Sequence, residues 1–229
     1  MKSRIAALLV ASLTLATLSG CATLQPQLAL TPDALNTPSS KIGVIMDDLP
    51  KTNTWFPGAN CLLCLAVASA ANSKLTDYTR TLPQENLPKI KEQVADVLRK
   101  KGASVTVIDE KGSSLPKNKK KGPNIALRDH TSLKAKHNVD KMIVISLSSI
   151  GISRPYASYF PTGAPQATVI GLAYLINLDN NTYEWYMPIQ ITQTADGQWD
   201  EPPSFPGLTN AYYQVLELTT DAIIKPLSN

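Results

Sequence analysis

Two cysteines three positions apart, Cys61-Leu62-Leu63-Cys64, are the side chains of this sequence best placed for chemistry. Such a pair can close a short disulfide, sit as two buried thiols, act as a redox couple or supply half of a zinc site. A redox couple needs a thiolate stabilised by a helix N-terminus or a nearby cation, and the flanking Leu62, Leu63, Leu65, Ala66 and Val67 work against that charge. A structural zinc needs four ligands, and only the distant His130 and His137 could complete the set. Those histidines are seven residues apart, not at the i, i+4 spacing of a helical ligand pair, and read as surface residues. No metal is expected. Asp47-Asp48 and Asp109-Glu110 each end an apolar run. If those runs are neighbouring parallel strands, the carboxylates gather where α/β sheets bind ligands, although strand-ending turns are often acidic for solubility alone. The sequence holds no G-x-S-x-G, H-E-x-x-H, Walker-type or G-x-G-x-x-G motif. It is read as a non-enzyme, with no catalytic residue and no cofactor.

Three stretches could instead make contacts. Residues 111–136 carry eight basic residues, among them Lys117, Lys119, Lys120 and Lys121, against Asp129 alone, a local charge of +7. Such a run is a solvated loop or a site for a polyanion such as lipid phosphates or cell-wall polymer. Residues 155–161 set Tyr156, Tyr159 and Phe160 between two prolines, which makes either cover for one end of a sheet or a rigid aromatic platform for a partner. Residues 61–71 form an uncharged apolar run about half as long as a membrane span, expected as a buried helix or strand, with an exposed contact as the alternative.

The amino terminus supplies an address. Lys2 and Arg4 precede an apolar run from Ile5 to Leu18, the charge and length pattern of a secretion signal. Leu18-Ser19-Gly20-Cys21 then resembles the lipobox of bacterial lipoproteins. The resemblance implies a diacylglyceryl group on Cys21, cleavage before it and acylation of the new amino terminus, a covalent lipid being the only prosthetic group. Ala22 in place of Asp implies sorting to the periplasmic face of the outer membrane, the inner membrane being the alternative. Loss of the signal lowers the formal charge from +4 to +2, which gives no reason to expect a nucleic-acid partner. The expected partners are the membrane, through the lipid, and an envelope protein. With Cys21 acylated, Cys61 and Cys64 are the remaining cysteines, an even pair in an oxidising compartment.

Periodicity supplies the frame. A hydrophobic fraction of 43% with 17% charged residues is enough for a core. Residues 1–20 are the signal. Residues 21–40, with Pro26, Pro32 and Pro38, read as the lipidated cysteine and a tether of roughly 25 Å root-mean-square span. Residues 41–229 read as one domain with a long insertion at about 48–86. Strands are expected at 41–47, 104–109 and 142–152, and a hairpin at 167–178 and 182–192 about Asp179-Asn180-Asn181. On its second strand Tyr183, Trp185 and Met187 should share one face. Helices are expected at 87–101, 125–137 and from Leu208 to a stop at Pro226. The result is an α/β (α+β) fold, one mixed sheet in the order β-α-β-α-β-β-β-α with helices packed against it. This order resembles the amino-terminal domain of TolB and the soluble part of CsgG-type curli-secretion lipoproteins. That resemblance implies envelope assembly, secretion or transport work, with an oligomeric assembly like that of curli secretion as one alternative; the cysteine pair itself offers another, an envelope thiol–disulfide protein using Cys61 and Cys64.

Overall fold

The apolar runs with nothing polar between them become the middle of the sheet. In strand β1 (Lys41–Met46) the residues Ile42, Gly43, Val44 and Ile45 are all buried, as a strand with neighbours on both edges and cover on both faces requires. The computed structural model describes residues 25–35 and 40–228; the signal at 1–20 and Cys21 lie outside the described residues. β1 pairs in parallel with β3 (Ser104–Val107) on one side and β4 (Lys141–Ser153) on the other. β4 pairs antiparallel with β7 (Gln166–Asn177), and β7 with β8 (Thr182–Thr194), so the sheet runs β3-β1-β4-β7-β8. Further along the β1 side of β4, the short β2 (Asn53–Trp55) pairs in parallel with Gly151 to Ser153. The expected single mixed sheet with its α/β element order is present.

The helices collect on one face. α4 (Ile90–Lys100) presents Ile90, Val94 and Leu98, and α6 (Pro206–Ser228) presents Leu208, Tyr212, Val215 and Ile223, to the core formed with β1, β4, β7 and β8. Each such side chain contributes roughly 1.5–3 kcal/mol when fully buried. The other face is covered by the irregular segment after β3, whose Ile108, Leu115, Ala126, Leu133 and Val139 pack with Tyr174, Tyr183 and Tyr186. Of the helix expected at 125–137 only α5 (Ser132–His137) forms, because the backbone of residues 124–126 is bonded to Asn181 and Tyr183 at the β7–β8 turn instead of to itself. Pro226 lies within the last turn of α6 instead of ending it.

Two further expectations fail for identifiable reasons. Tyr183 and Trp185 lie on opposite faces, Tyr183 with the tyrosines and Trp185 in the helix-covered core. The register shifts there: Leu175 pairs with Trp185 and Ile176 with Tyr183, leaving Glu184 as the extra residue of a β-bulge. The Glu184 carboxylate is held by Lys141 Nζ at 2.7 Å and by the Asn177 amide at 3.0 Å. The second concerns the tether. Residues 25–35, expected as part of it, lie on the domain: Leu28 exchanges both backbone bonds with Tyr186, and the short helix α1 (Pro32–Leu35) buries Ala34. Lys141 Nζ also donates to Ala34 O at 2.6 Å, so one buried ammonium ties the amino-terminal segment to the bulge. Lys141→Met should lower stability in urea unfolding by about 3 kcal/mol, because Glu184 is left an unpaired carboxylate, and adding Glu184→Gln should restore much of that loss.

Candidate functional site

Residues 48–86, the expected insertion, contain β2 and two helices, α2 (Leu62–Ala71) and α3 (Ser73–Thr79). Ala- and Leu-rich sequence favours helix at 62–71. Cys61 starts it: its backbone is extended, and its sulfur accepts the Cys64 amide at 2.9 Å as an N-cap. Cys61 and Cys64 form a disulfide, with Cα atoms 4.9 Å apart. At the other end Asn72 Nδ2 donates to Ala68 O and to the Tyr156 hydroxyl, both at 2.7 Å, while Arg154 donates to Asn72 Oδ1 at 2.8 Å. The helix is thus fastened at both ends.

The apolar run is a helix as one of the expected alternatives required, but it is not buried. Of α2 only Cys64 and Ala68 are buried, against Ala59, Phe56 and Tyr156. Leu62 is 91% exposed, and Leu63, Leu65 and Val67 are exposed beside it. The aromatic residues singled out by sequence arrive at this same end. The strand pair β5 (Tyr156–Ala157) and β6 (Phe160–Pro161) buries Tyr156 but exposes Phe160 by 74%, and the Tyr159 hydroxyl lies 3.8 Å from Cys61 Sγ. Gly58 makes the close approach: its φ is +90°, and a Cβ there would run into the Tyr156 carbonyl oxygen. Arg154 also stacks over Trp199, 4.8 Å from the ring centre, which draws in the Pro-rich 199–206 loop. Cys61, Tyr159 and Phe160 are therefore exposed together at this end, over the buried Cys64 and Tyr156. Asn72 and Arg154, which hold it, were not singled out from sequence; the only signal was that Asn72 bounds the apolar run.

The lysines lie at the opposite end of the sheet. Lys117, Lys119, Lys120 and Lys121 are exposed on a loop closed by the Lys117–Arg128 bridge and by Asn118 N to Leu127 O at 2.8 Å. Asn181, buried in the β7–β8 turn with φ +59°, holds this loop. Its Oδ1 accepts the His130 amide at 3.0 Å and its Nδ2 donates to Arg128 O at 2.8 Å. His130, expected at the surface, is 1% exposed and packs edge-on to Tyr174. Its Nδ1–H donates to Arg128 O at 2.9 Å, which leaves Nε2 buried with no hydrogen-bond partner among the described residues. Burial holds its pKa below the ordinary histidine value, against the raising effect of Asp129 and Asp47, and holds the Tyr174 phenol above its own.

The four carboxylates do reach one edge of the parallel strands, but each has its own partner. Asp47 accepts from Ser113 N at 2.9 Å and Ser113 Oγ at 3.0 Å, and Asp48 pairs with Lys111. Lys91, 2.5 Å away, holds the Asp109 carboxyl below its usual range. Lys136 and then His137 do the same for Glu110. No group of His, Cys, Asp and Glu among the described residues could hold a metal ion, and no described helix is long and apolar enough to cross a membrane.

No protein-family model and no curated protein matches the chain. Among solved structures it is similar to the PelC dodecamer from Paraburkholderia phytofirmans, at 13% identity over 90% of this chain and 94% of that one, with a TM-score of 0.36. It is also similar to protein XCC0632 from Xanthomonas campestris, at 14% identity over 89% and 93%, TM-score 0.36. Lipoprotein GNA1162 from Neisseria meningitidis is 14% identical over 83% and 99%, TM-score 0.29. All three scores lie below 0.5.

Replacing both Cys61 and Cys64 by alanine should lower global stability by about 2 kcal/mol, as expected for a loop this short, and speed amide exchange in the first turn of α2. Histidine in the unfolded chain titrates near pH 6.5, above the depressed value in the fold. The unfolded state therefore binds the extra proton first as pH falls, and stability is lost below about pH 6.5. His130→Phe should be less stable than wild type at pH 7 but lose less of its stability between pH 7 and 5 in urea unfolding; parallel losses would refute the assignment.

Proposed function

We propose that this chain is a lipid-anchored periplasmic binding module, on the outer membrane with the inner membrane as the alternative, that presents the disulfide-fastened helix α2 and the Tyr159–Phe160 turn to an envelope protein. The observation that carries this reading is the exposure of Leu62, Leu63, Leu65 and Val67 on a helix with no charged residue, fixed at both ends. Contiguous apolar surface of this kind marks an interaction site, and Phe160 beside it supplies a rigid aromatic anchor. The lipobox resemblance supplies the anchor, and envelope assembly, secretion or transport is the matching class of work.

A redox reading is favoured by one observation. Cys61 is exposed at the N-terminus of α2 while Cys64 is buried. In the reduced chain the helix dipole and the Tyr159 hydroxyl would both stabilise a Cys61 thiolate. Alkylation of the reduced protein separates the two. A Cys61 thiol titrating near pH 8.5 leaves the disulfide structural, whereas one titrating well below pH 7 supports exchange chemistry.

The binding reading is tested by crosslinking in cells. Wild-type protein should capture a discrete envelope protein, and Leu62→Asp/Phe160→Asp should reduce that capture at least about 10-fold, the loss of one hot-spot pair, at unchanged thermal stability. Equal capture by both would refute the site. Intact mass of the mature protein should show acyl chains on Cys21; an unmodified amino terminus would refute the anchor.

A further inference from the structure

We propose that the loop bearing Lys117, Lys119, Lys120 and Lys121, with Leu127 beside them, rests on the anionic lipid headgroups of the membrane that holds Cys21 and so sets which end of the domain faces the bilayer. The proposal rests on the lipid anchoring proposed above.

Its first support is where the anchored chain meets the domain. Gln25 Nε2 donates to Asn124 Oδ1 at 2.8 Å, and Gln25 Oε1 accepts the Asn124 amide at 3.1 Å. Asn124 follows Lys121 by three residues and bonds to Tyr183 beside the β7–β8 turn. Only three residues, Ala22 to Leu24, separate Gln25 from Cys21, a Cα-to-Cα span of at most ~14 Å. A lipid on Cys21 therefore brings this end, and no other, against the membrane. The helix α2 sits beyond the far end of β4, which at thirteen residues is roughly 40 Å long.

The second support is the chemistry of the surface brought there. None of the four lysines forms an ion pair with a described residue, whereas the neighbouring Lys111, Lys134 and Lys136 are each paired with a carboxylate. Asp129, eight residues beyond Lys121, accepts from Thr131 at 2.7 and 3.1 Å and feels the charge of Lys120 without forming an ion pair with it. Leu127 is 77% exposed in the middle of this positive surface, held there by its own bonds to Asn118 and to the Tyr183 hydroxyl. Lysines around an exposed leucine suit the charged headgroup layer with the acyl region just beneath it. The strand-like backing by Asn181 and the tyrosines keeps the loop from collapsing onto the protein.

The test uses the acylated mature protein, added from detergent to vesicles of phosphatidylcholine alone or with about 30% phosphatidylglycerol, an anionic content that gives a substantial surface potential. Intact mass first establishes the acyl chains, so failure of the anchor is seen separately. Lysine labelling is then read by peptide mass. On anionic vesicles Lys117, Lys119, Lys120 and Lys121 should label at least about 5-fold more slowly than on neutral vesicles, and the difference should vanish in ~1 M salt, where screening is nearly complete. Lys74, on α3 at the far end, should label equally in all conditions. In the variant with all four lysines changed to glutamine, amide exchange at residues 117–128 should be the same on both vesicles, while in wild type it is slower on the anionic ones. Equal labelling of the four lysines on both vesicles would overturn the proposal, as would protection that needs an added membrane protein.

Discussion

The thirteen-residue strand β4 is the constraint from which the rest of the molecule follows. Residues 141–145 lie between β1 and β7 and residues 151–153 between β2 and β7, while β7 lines the other edge along nearly the whole strand. β7 runs beside it over the same length, with β8 on its other edge, so the two strands together span both regions. A rod of this length, about 40 Å, holds the two candidate surfaces apart: the lysine loop beyond Lys141, and α2 with the aromatic turn beyond Ser153. The core around it is assembled by ordinary burial from α4 and α6 on one face and the tyrosine cluster on the other.

The two ends are secured by the same device. A buried asparagine amide satisfies backbone and side-chain groups that would otherwise be stranded away from water. Asn72 joins the end of α2 to Tyr156 and Arg154. Asn181 joins the β7–β8 turn to His130 and Arg128. Asparagine suits both posts because its side chain donates and accepts at once and carries no charge to desolvate. Neither surface is thereby left to float: the exposed apolar residues of α2 and the exposed lysines both stand on fixed backbone.

Much of this frame was legible in the residues. Uninterrupted apolar runs marked β1 and β4, because a strand covered on both faces has no polar alternation to lose. The stripe of Ile90, Val94 and Leu98 marked α4. What could not be read was any feature set by a partner distant in sequence. The bulge at Glu184, which turns Tyr183 away from Trp185, exists because Lys141 and Asn177 hold the extra residue. His130 looks like a surface histidine until Asn181 and Tyr174 enclose it. The 61–71 run carries the composition of a buried helix, yet only its Cys64 and Ala68 are covered, by Phe56, Ala59 and Tyr156 among the described residues. Residues 25–35 have the prolines of a linker, yet Leu28 finds the open edge of β8.

The sequence by itself determined the element order, the mixed sheet, the lipobox resemblance at Cys21 and the short list of residues able to make contacts, because each is a matter of local type and spacing. Tertiary structure decided how that list is divided. It joined Cys61 and Cys64 to Tyr159 and Phe160 at one end, placed Lys117 to Lys121 beside Gln25 at the other, and gave every strand-end carboxylate a private partner. The physical reason is that a surface is a property of neighbours in space. Only the register of β4 against β2 and β7 says which loops share an end of the sheet.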